Sequence, residues 1–297
     1  MFHLFEKEEE KKDRLQKKAM TYVFWEDLSG LKLLVKKGID LNHQDEEGRT
    51  LLYLAGNEGN LEIVNYLIEN KADVNIQDMN GCTPLYSALQ ENHLEVAELL
   101  IQGGADVNIK NNKGNTPIHE AVSYNDLDIL NKLIKRKADV NIKNNNGNAP
   151  IHVAVICGYL DVLKELVQAG ADVNIKTIKG WTALHLASYT GDFDIVKQLI
   201  KMKADVNSQT NSGNTAIHIA SKKGWLNLIE QLIKEGADVL KKNNQGEDAY
   251  QIAMKRGERE IAKMIKDALK KQVLNSRKVT RHMMSQQVLQ ETRKERE

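Results

Sequence analysis

A glycine recurs every 33 residues along most of this chain, and this spacing constrains the fold more than any other feature. The chain has 297 residues, and these glycines stand at positions 48, 81, 114, 147, 180, 213 and 246. The phrase ADVN keeps the same period and begins at residues 72, 105, 138, 171 and 204. A fixed period of about 20–50 residues indicates stacked copies of one supersecondary unit. We therefore expect a repeat protein, in which each unit contacts only its neighbours.

One copy of the repeat, residues 111–143, carries the signals of two short helices. Thr116 is a good N-cap, and Pro117 suits the first helical position, where its missing N–H costs nothing. Glycine recurs where the first helix should end, and Asn92 and Asn125 replace it in two copies, which predicts a left-handed residue there. The second helix spaces its apolar residues along one face, namely Leu127, Ile129, Leu130, Leu133 and Ile134.

The glycine and a histidine occur together in GNTPIHEA, GNAPIHVA, GWTALHLA and GNTAIHIA, which begin at residues 114, 147, 180 and 213. The 33-residue period and this Thr-Pro-Leu-His-like start resemble the ankyrin repeat. The resemblance covers roughly residues 15–270. It implies an all-α ankyrin-repeat solenoid of stacked helix-turn-helix units, about eight helix pairs in all, with β-turn fingers between them.

We divide the chain into five segments on this pattern. Residues 1–14 form a charged leader that we expect to be mobile, and residues 15–44 form a divergent N-terminal capping repeat. Six full repeats fill residues 45–242, and a C-terminal capping repeat fills residues 243–270. Residues 271–297 form a basic tail, which we expect to be either a partner-binding helix or a solvated extension.

The recurring histidines could serve chemistry or architecture. Each belongs to a different repeat, so neighbours should lie about 10 Å apart, too far for one Zn²⁺ with bonds of about 2 Å. The resemblance implies instead that each histidine hydrogen-bonds between its own turn and the neighbouring repeat. Tyr53 and Tyr86 replace the histidine in the first two full repeats, where this bond is in question. The four histidines interpreted as structural are His119, His152, His185 and His218.

The sequence offers no motif for catalysis. It contains no GxSxG nucleophile elbow, no GxxxxGK[ST] phosphate loop, no HExxH and no CxxC. We therefore expect no catalytic residues, no metal site and no cofactor.

Partner-binding residues follow from the resemblance, because ankyrin proteins bind through their fingers and the ends of their first helices, on a concave face. Trp181 and Tyr189 rank highest, since large aromatic residues dominate binding hot spots, although Trp181 could instead pack on a neighbouring finger. Charge is asymmetric: residues 45–110 hold 3 Lys/Arg against 12 Asp/Glu, and residues 177–297 hold 22 against 14. The remaining candidates are Glu58, Glu91, Tyr124, Ile156, Lys222 and Lys223.

The asparagine of DVN has a second interpretation. Each such asparagine follows a leucine eight residues back, which resembles the pattern that the asparaginyl hydroxylase recognises in ankyrin repeats. Asparagine also satisfies backbone groups in turns, and this alone explains its recurrence. If intact-mass analysis of the protein from cells that contain the hydroxylase shows no +16 species, the hydroxylation hypothesis is wrong. The candidates are Asn75, Asn108, Asn141, Asn174 and Asn207.

We expect a non-catalytic, monomeric module, an adaptor, scaffold or inhibitor, that binds a protein partner and no small-molecule substrate. One alternative is an effector of an intracellular bacterium that acts in host cells, since the Lys-, Asn- and Ile-rich composition suits an AT-rich genome. Another is a binder of nucleic acid or anionic membrane through the basic C-terminal end, which predicts a steep salt dependence. The absence of a signal peptide and of an apolar membrane span predicts a cytoplasmic location, or the host cytosol for an effector.

Overall fold

The computed structural model describes the backbone of residues 2–273 and the side chains of residues 9–273. The predicted tail falls largely on residues 274–297, which lie outside the described residues. All regular elements in the described part are helices, as predicted for an all-α repeat protein. The backbone divides into two compact units, the first of which ends at Asp172 and the second of which begins at Val173.

The first unit contains five helix pairs. In each full repeat the first helix begins after an N-cap residue such as Thr116, and Pro117 occupies the first helical position as predicted. Helix α8 buries Ile129, Leu130 and Leu133 and leaves its charged side in solvent. The helices are α1 (Phe2–Phe24), α2 (Leu28–Val35), α3 (Leu51–Asn57), α4 (Leu61–Glu69), α5 (Pro84–Gln90), α6 (Leu94–Gln102), α7 (Pro117–Ser123), α8 (Leu127–Lys135), α9 (Pro150–Cys157) and α10 (Leu160–Gln168).

The second unit contains three helix pairs built on the same plan. Their second helices bury the same kind of apolar triplet, for example Ile195, Val196 and Leu199 in α12. The helices are α11 (Ala183–Thr190), α12 (Phe193–Lys201), α13 (Ala216–Lys223), α14 (Leu226–Lys234) and α15 (Ala249–Arg256). A final helix, α16, covers residues 259–273 and buries Ile261 and Ile265.

The N-terminal segment differs from the interpretation of residues 1–14 as a separate leader. Helix α1 begins at Phe2 and runs without a break through residue 14 to Phe24. Its second half packs on the first unit through Ala19 and Val23, which are fully buried, and the side chain of Gln16 donates to the carbonyl of Asp40 at 3.1 Å. The charged first half continues this helix because Glu and Lys are good helix formers.

Backbone hydrogen bonds join neighbouring fingers. In the first unit the N–H of Asn112 donates to the carbonyl of Asn80 at 2.8 Å, and in the second unit the N–H of Asn211 donates to the carbonyl of Lys179 at 3.1 Å. The side chain of Asn211 adds a bond to the carbonyl of Ile178 at 2.8 Å. The fingers of each unit therefore form a ladder that holds the first helices in register.

Three second helices are followed, two residues after their last residue, by a lysine in the left-handed conformation, namely Lys71, Lys137 and Lys203, with φ of 69°, 65° and 70°. A side chain strains this conformation, whereas glycine adopts it freely. We expect Lys137→Gly to raise the free energy of unfolding by up to about 1 kcal/mol, measured by urea denaturation. Lys135→Gly, at the exposed last residue of α8, where φ is not positive, is the matched control and should lower it by up to about 1 kcal/mol. Destabilisation by both changes would contradict the strain argument.

Candidate protein-binding groove

The recurring histidines use both ring nitrogens in the scaffold. The Nδ1 of His185 accepts the backbone N–H of Thr182 at 3.0 Å, and its Nε2 lies 2.9 Å from the carbonyl oxygen of Ser208. A backbone N–H only donates and a carbonyl only accepts, so the ring is neutral with its proton on Nε2. Burial lowers the pKa of His185 to about 4 and also lowers the pKa of His119 and His218.

Equivalent bonds recur at the other histidines. His119 accepts from Thr116 and reaches the carbonyl of Asn148 in the next repeat at 3.1 Å, and His218 reaches that of Glu247 at 3.2 Å. The Nδ1 of His152 accepts the N–H of Ala149 at 3.0 Å.

The two tyrosines that replace the histidine make a different link to the next repeat. The hydroxyl of Tyr53 donates to the carboxylate of Asp78 at 3.1 Å, and that of Tyr86 donates to Glu120 at 2.7 Å. The link between repeats is therefore kept in the acidic part of the chain, with a carboxylate as the acceptor in place of a backbone carbonyl.

The asparagines of DVN also serve the scaffold. The amide oxygen of Asn108 accepts the N–H of Asp139 at 2.9 Å, and its amide nitrogen donates to the carbonyl of Lys137 at 3.2 Å. The oxygens of the other four accept from the next repeat in the same way, at 2.7–2.8 Å, and they belong to Asn75, Asn141, Asn174 and Asn207. Hydroxylation of these residues stays a hypothesis. A hydroxylase would have to break the hydrogen bonds that hold each asparagine amide to the next repeat before it could act on the side chain.

The second unit contains a groove of about 460 Å³ between its fingers and the ends of its first helices. Four of the predicted contact residues line it together, namely Trp181, Tyr189, Lys222 and Lys223. Helix α11 positions Tyr189 one residue before its C-terminal end, and α13 positions both lysines in its last turn. The period of 33 residues brings these positions side by side, because each repeat presents the same face of its first helix.

One end of the groove is aromatic. The rings of Trp181 and Tyr189 pack edge to face with centroids 5.9 Å apart, and Trp181 also contacts the ring of His185 at 6.2 Å. The ammonium group of Lys223 lies 3.7 Å from the centroid of Tyr189, a cation–π contact. Tyr189 is half exposed, while Trp181 is partly covered by its own repeat rather than free in solvent.

The rim of the groove is basic. Lys222, Lys223, Lys255 and Arg256 are all exposed at the C-terminal ends of α13 and α15. Lys255 pairs with Glu247, the carboxylate that lines the groove, and this pairing lowers the pKa of Glu247.

A family model for ankyrin repeats in three copies matches residues 19–111, 101–177, 118–210 and 184–276. These matches together span most of the chain. The chain belongs to the ankyrin repeat family. Ankyrin repeats generally mediate protein–protein binding, and the family is typically non-enzymatic. A comparison with curated proteins found no match.

The other predicted contact residues of this ankyrin protein lie in the first unit. Glu58, Glu91 and Tyr124 occupy the same repeat position, directly after the first helix, and all three are exposed. Ile156 is 53% exposed on α9. The hydroxyl of Tyr124 donates to the carbonyl of Gln90 at 2.6 Å, so this ring is held against the preceding repeat.

Lysines recur at the base of three successive fingers, at Lys110, Lys143 and Lys176, and two of these finger-base lysines are engaged in the scaffold. The ammonium group of Lys110 donates to the carbonyl of Lys143 at 2.9 Å, and that of Lys176 donates to the carbonyl of Gln209 at 3.0 Å. Gln77 and Gln209 make the same kind of bond from the same repeat position.

Sequence reasoning missed several residues that the structure brings to a surface. Ile219 and Ile252 form the apolar floor of the groove, and the available signal was that each stands three residues before a lysine at a helix end, Lys222 or Lys255. Phe24 and Trp25 pack edge to face at 5.4 Å near the end of α1 and are 61% and 72% exposed. These two lie in the divergent first repeat, where the 33-residue pattern gives no guide.

Among the described residues, no helix is both long enough and apolar enough to span a bilayer. The 23-residue helix α1 has the length, but charged residues fill its first half.

Proposed function

We propose that this ankyrin protein is a non-catalytic interaction module, an adaptor, scaffold or inhibitor, that binds a protein partner in the groove of its second unit. The observation that supports it most is the half-exposed Tyr189 packed beside Trp181, with the ammonium group of Lys223 over its ring and two isoleucines in the lining of the same groove. Large aromatic side chains in a concave, partly desolvated site are the residues that dominate binding energy in protein interfaces.

The test is capture of partners from the protein's own cellular setting, followed by binding of the recovered partner as a purified protein. A Trp181→Ser, Tyr189→Ser variant, shown to be folded by circular dichroism, should lose at least about tenfold in affinity for that partner. The matched control is Phe24→Ser, Trp25→Ser, which removes an exposed aromatic pair of the same kind from the first unit. Loss of binding in the control alone would move the site to the N-terminal pair and contradict the proposal.

The effector hypothesis concerns where the partner is found rather than how it is bound. Under this hypothesis the basic C-terminal tail would carry the secretion signal, so a translocation assay with and without residues 275–297 tests it independently of the groove. Equal translocation of both forms would contradict a secretion role for the tail.

A further inference from the structure

The cations of the groove are concentrated at two neighbouring first helices. Helices α13 and α15 carry Lys222, Lys223, Lys255 and Arg256 in their last turns. The five preceding first helices, α3, α5, α7, α9 and α11, have no basic residue in their last turns. A cation at a helix C-terminus interacts favourably with the helix dipole, but all seven helices have the same dipole. The dipole alone therefore does not account for this concentration of charge.

The groove also has an excess of positive charge. Four cationic side chains and one carboxylate line it, which gives a net charge of +3. Glu247 is occupied, since it accepts from Lys255 and from the side chain of Asn243. Among the described residues, Lys222, Lys223 and Arg256 form no ion pair. These three cations surround a concave surface whose floor is apolar, so a ligand that carries negative charge would be attracted to it.

We infer that the groove binds an acidic peptide segment that carries an apolar or aromatic anchor residue. This inference rests on the proposed function and names the chemistry of its partner. The anchor side chain packs on Ile219 and Ile252 and against the Trp181–Tyr189 pair. The peptide residues on either side of the anchor then lie at the basic rim of the groove. Aspartates or glutamates on either side of the anchor then meet Lys222, Lys223 and Arg256, and this charge complementarity fixes the direction and the rate of docking.

The arrangement favours a peptide over a nucleic acid. A single strand needs a continuous basic track for its phosphates and a series of aromatic platforms for its bases. In the second unit the finger-base cation Lys176 is bonded to the carbonyl of Gln209, and the carboxylate of Glu247 interrupts the basic rim. One aromatic pair beside an apolar floor suits one anchor side chain.

The test measures binding of short fluorescein-labelled peptides to the full chain by fluorescence anisotropy. The probe peptide has a central Leu-Trp pair flanked by Asp and Glu; one companion replaces the acids with Lys, and the other replaces the Leu-Trp pair with Ser. The groove variant is Lys222→Glu, Lys223→Glu. The matched control is Lys197→Glu, Lys201→Glu, which makes the same charge change on exposed residues of α12, outside the groove.

We expect the acidic probe to bind at least about tenfold more tightly than either companion. The groove variant should lose about tenfold in affinity for it, while the control changes by less than about twofold. Equal loss in both variants, equal binding of the Lys companion, absence of binding by the acidic probe, or displacement of it by oligothymidylate would each overturn the inference. A native partner that still requires Trp181 and Tyr189 would leave the proposed function intact in those cases.

Discussion

Gly213→Ala is expected to lower the free energy of unfolding by about 3–4 kcal/mol, one of the two largest effects in this protein. Gly213 has a φ of +76°, where a side chain costs about 1–2 kcal/mol. A Cβ built there would lie 2.7 Å from the backbone nitrogen of Asn244 in the next finger. The fingers would have to separate, which breaks two bonds from Asn244, to the carbonyls of Ser212 and Asn211, at about 1 kcal/mol each.

Gly246→Ala separates the cost of a side chain at positive φ from the cost of breaking the hydrogen bonds between fingers. Gly246 has the same φ of +76° at the same repeat position, but a Cβ there meets nothing within 4 Å. We expect this change to cost about 1–2 kcal/mol, the conformational part alone. Urea denaturation of both variants beside the wild type measures the difference. Equal losses would show that the finger ladder tolerates a side chain and that contact between fingers does not restrict this position.

Acid should destabilise the protein through its buried histidines. The unfolded state of His185 titrates at the ordinary pKa of 6.5, whereas burial lowers the pKa in the folded state to about 4. The unfolded state binds more protons between these values, so the stability is complete above 6.5 and is lost as the pH falls toward 4. For His185 alone the loss from about pH 7 to about pH 4 is about 3 kcal/mol. His119 and His218 should add to it, because burial lowers the pKa of both.

The His185→Gln variant isolates this contribution. Glutamine keeps a donor and an acceptor but does not gain a proton, so its stability between about pH 7 and about pH 4 should fall by about 3 kcal/mol less than that of the wild type. Carboxylates titrate in the same way in both proteins and cancel in the difference. The measurement is denaturant unfolding at several pH values, and parallel profiles for the two proteins would contradict the assignment of a buried neutral ring.

Much of the fold was predictable because the residue types at the helix ends indicate where the helices of each repeat begin and end. Thr116 and Pro117 mark the start of a first helix, as their residue types predict. Asn92 and Asn125 follow the ends of first helices and have φ of 61° and 58°, the left-handed conformation expected there. Helix α1 was not predictable in the same way. The sequence of its first half has no apolar residues at helical spacing that match the 33-residue pattern, and its helix propensity is compatible with either a leader or a helix.

The site was predictable only in part. The repeat period placed Tyr189, Lys222 and Lys223 on one face, because equivalent positions in adjacent repeats lie side by side. The period does not predict how the side chains on that face are oriented relative to one another. The contact of Lys223 with the ring of Tyr189 depends on side-chain rotamers, and the pairing of Glu247 with Lys255 joins a finger to a helix end eight residues later. The sequence alone does not show which charges of the rim are already paired in the folded protein.

Hydrogen–deuterium exchange on the complex with the recovered partner tests the central claim most directly. We predict slower exchange on binding at the ends of three first helices in the second unit, in peptides that cover residues 181–189, 219–223 and 252–256. The outer helices α12 and α14 should exchange as they do in the free protein. Protection confined to α12 and α14, or to the first unit alone, would contradict the assignment of the groove as the protein-binding site.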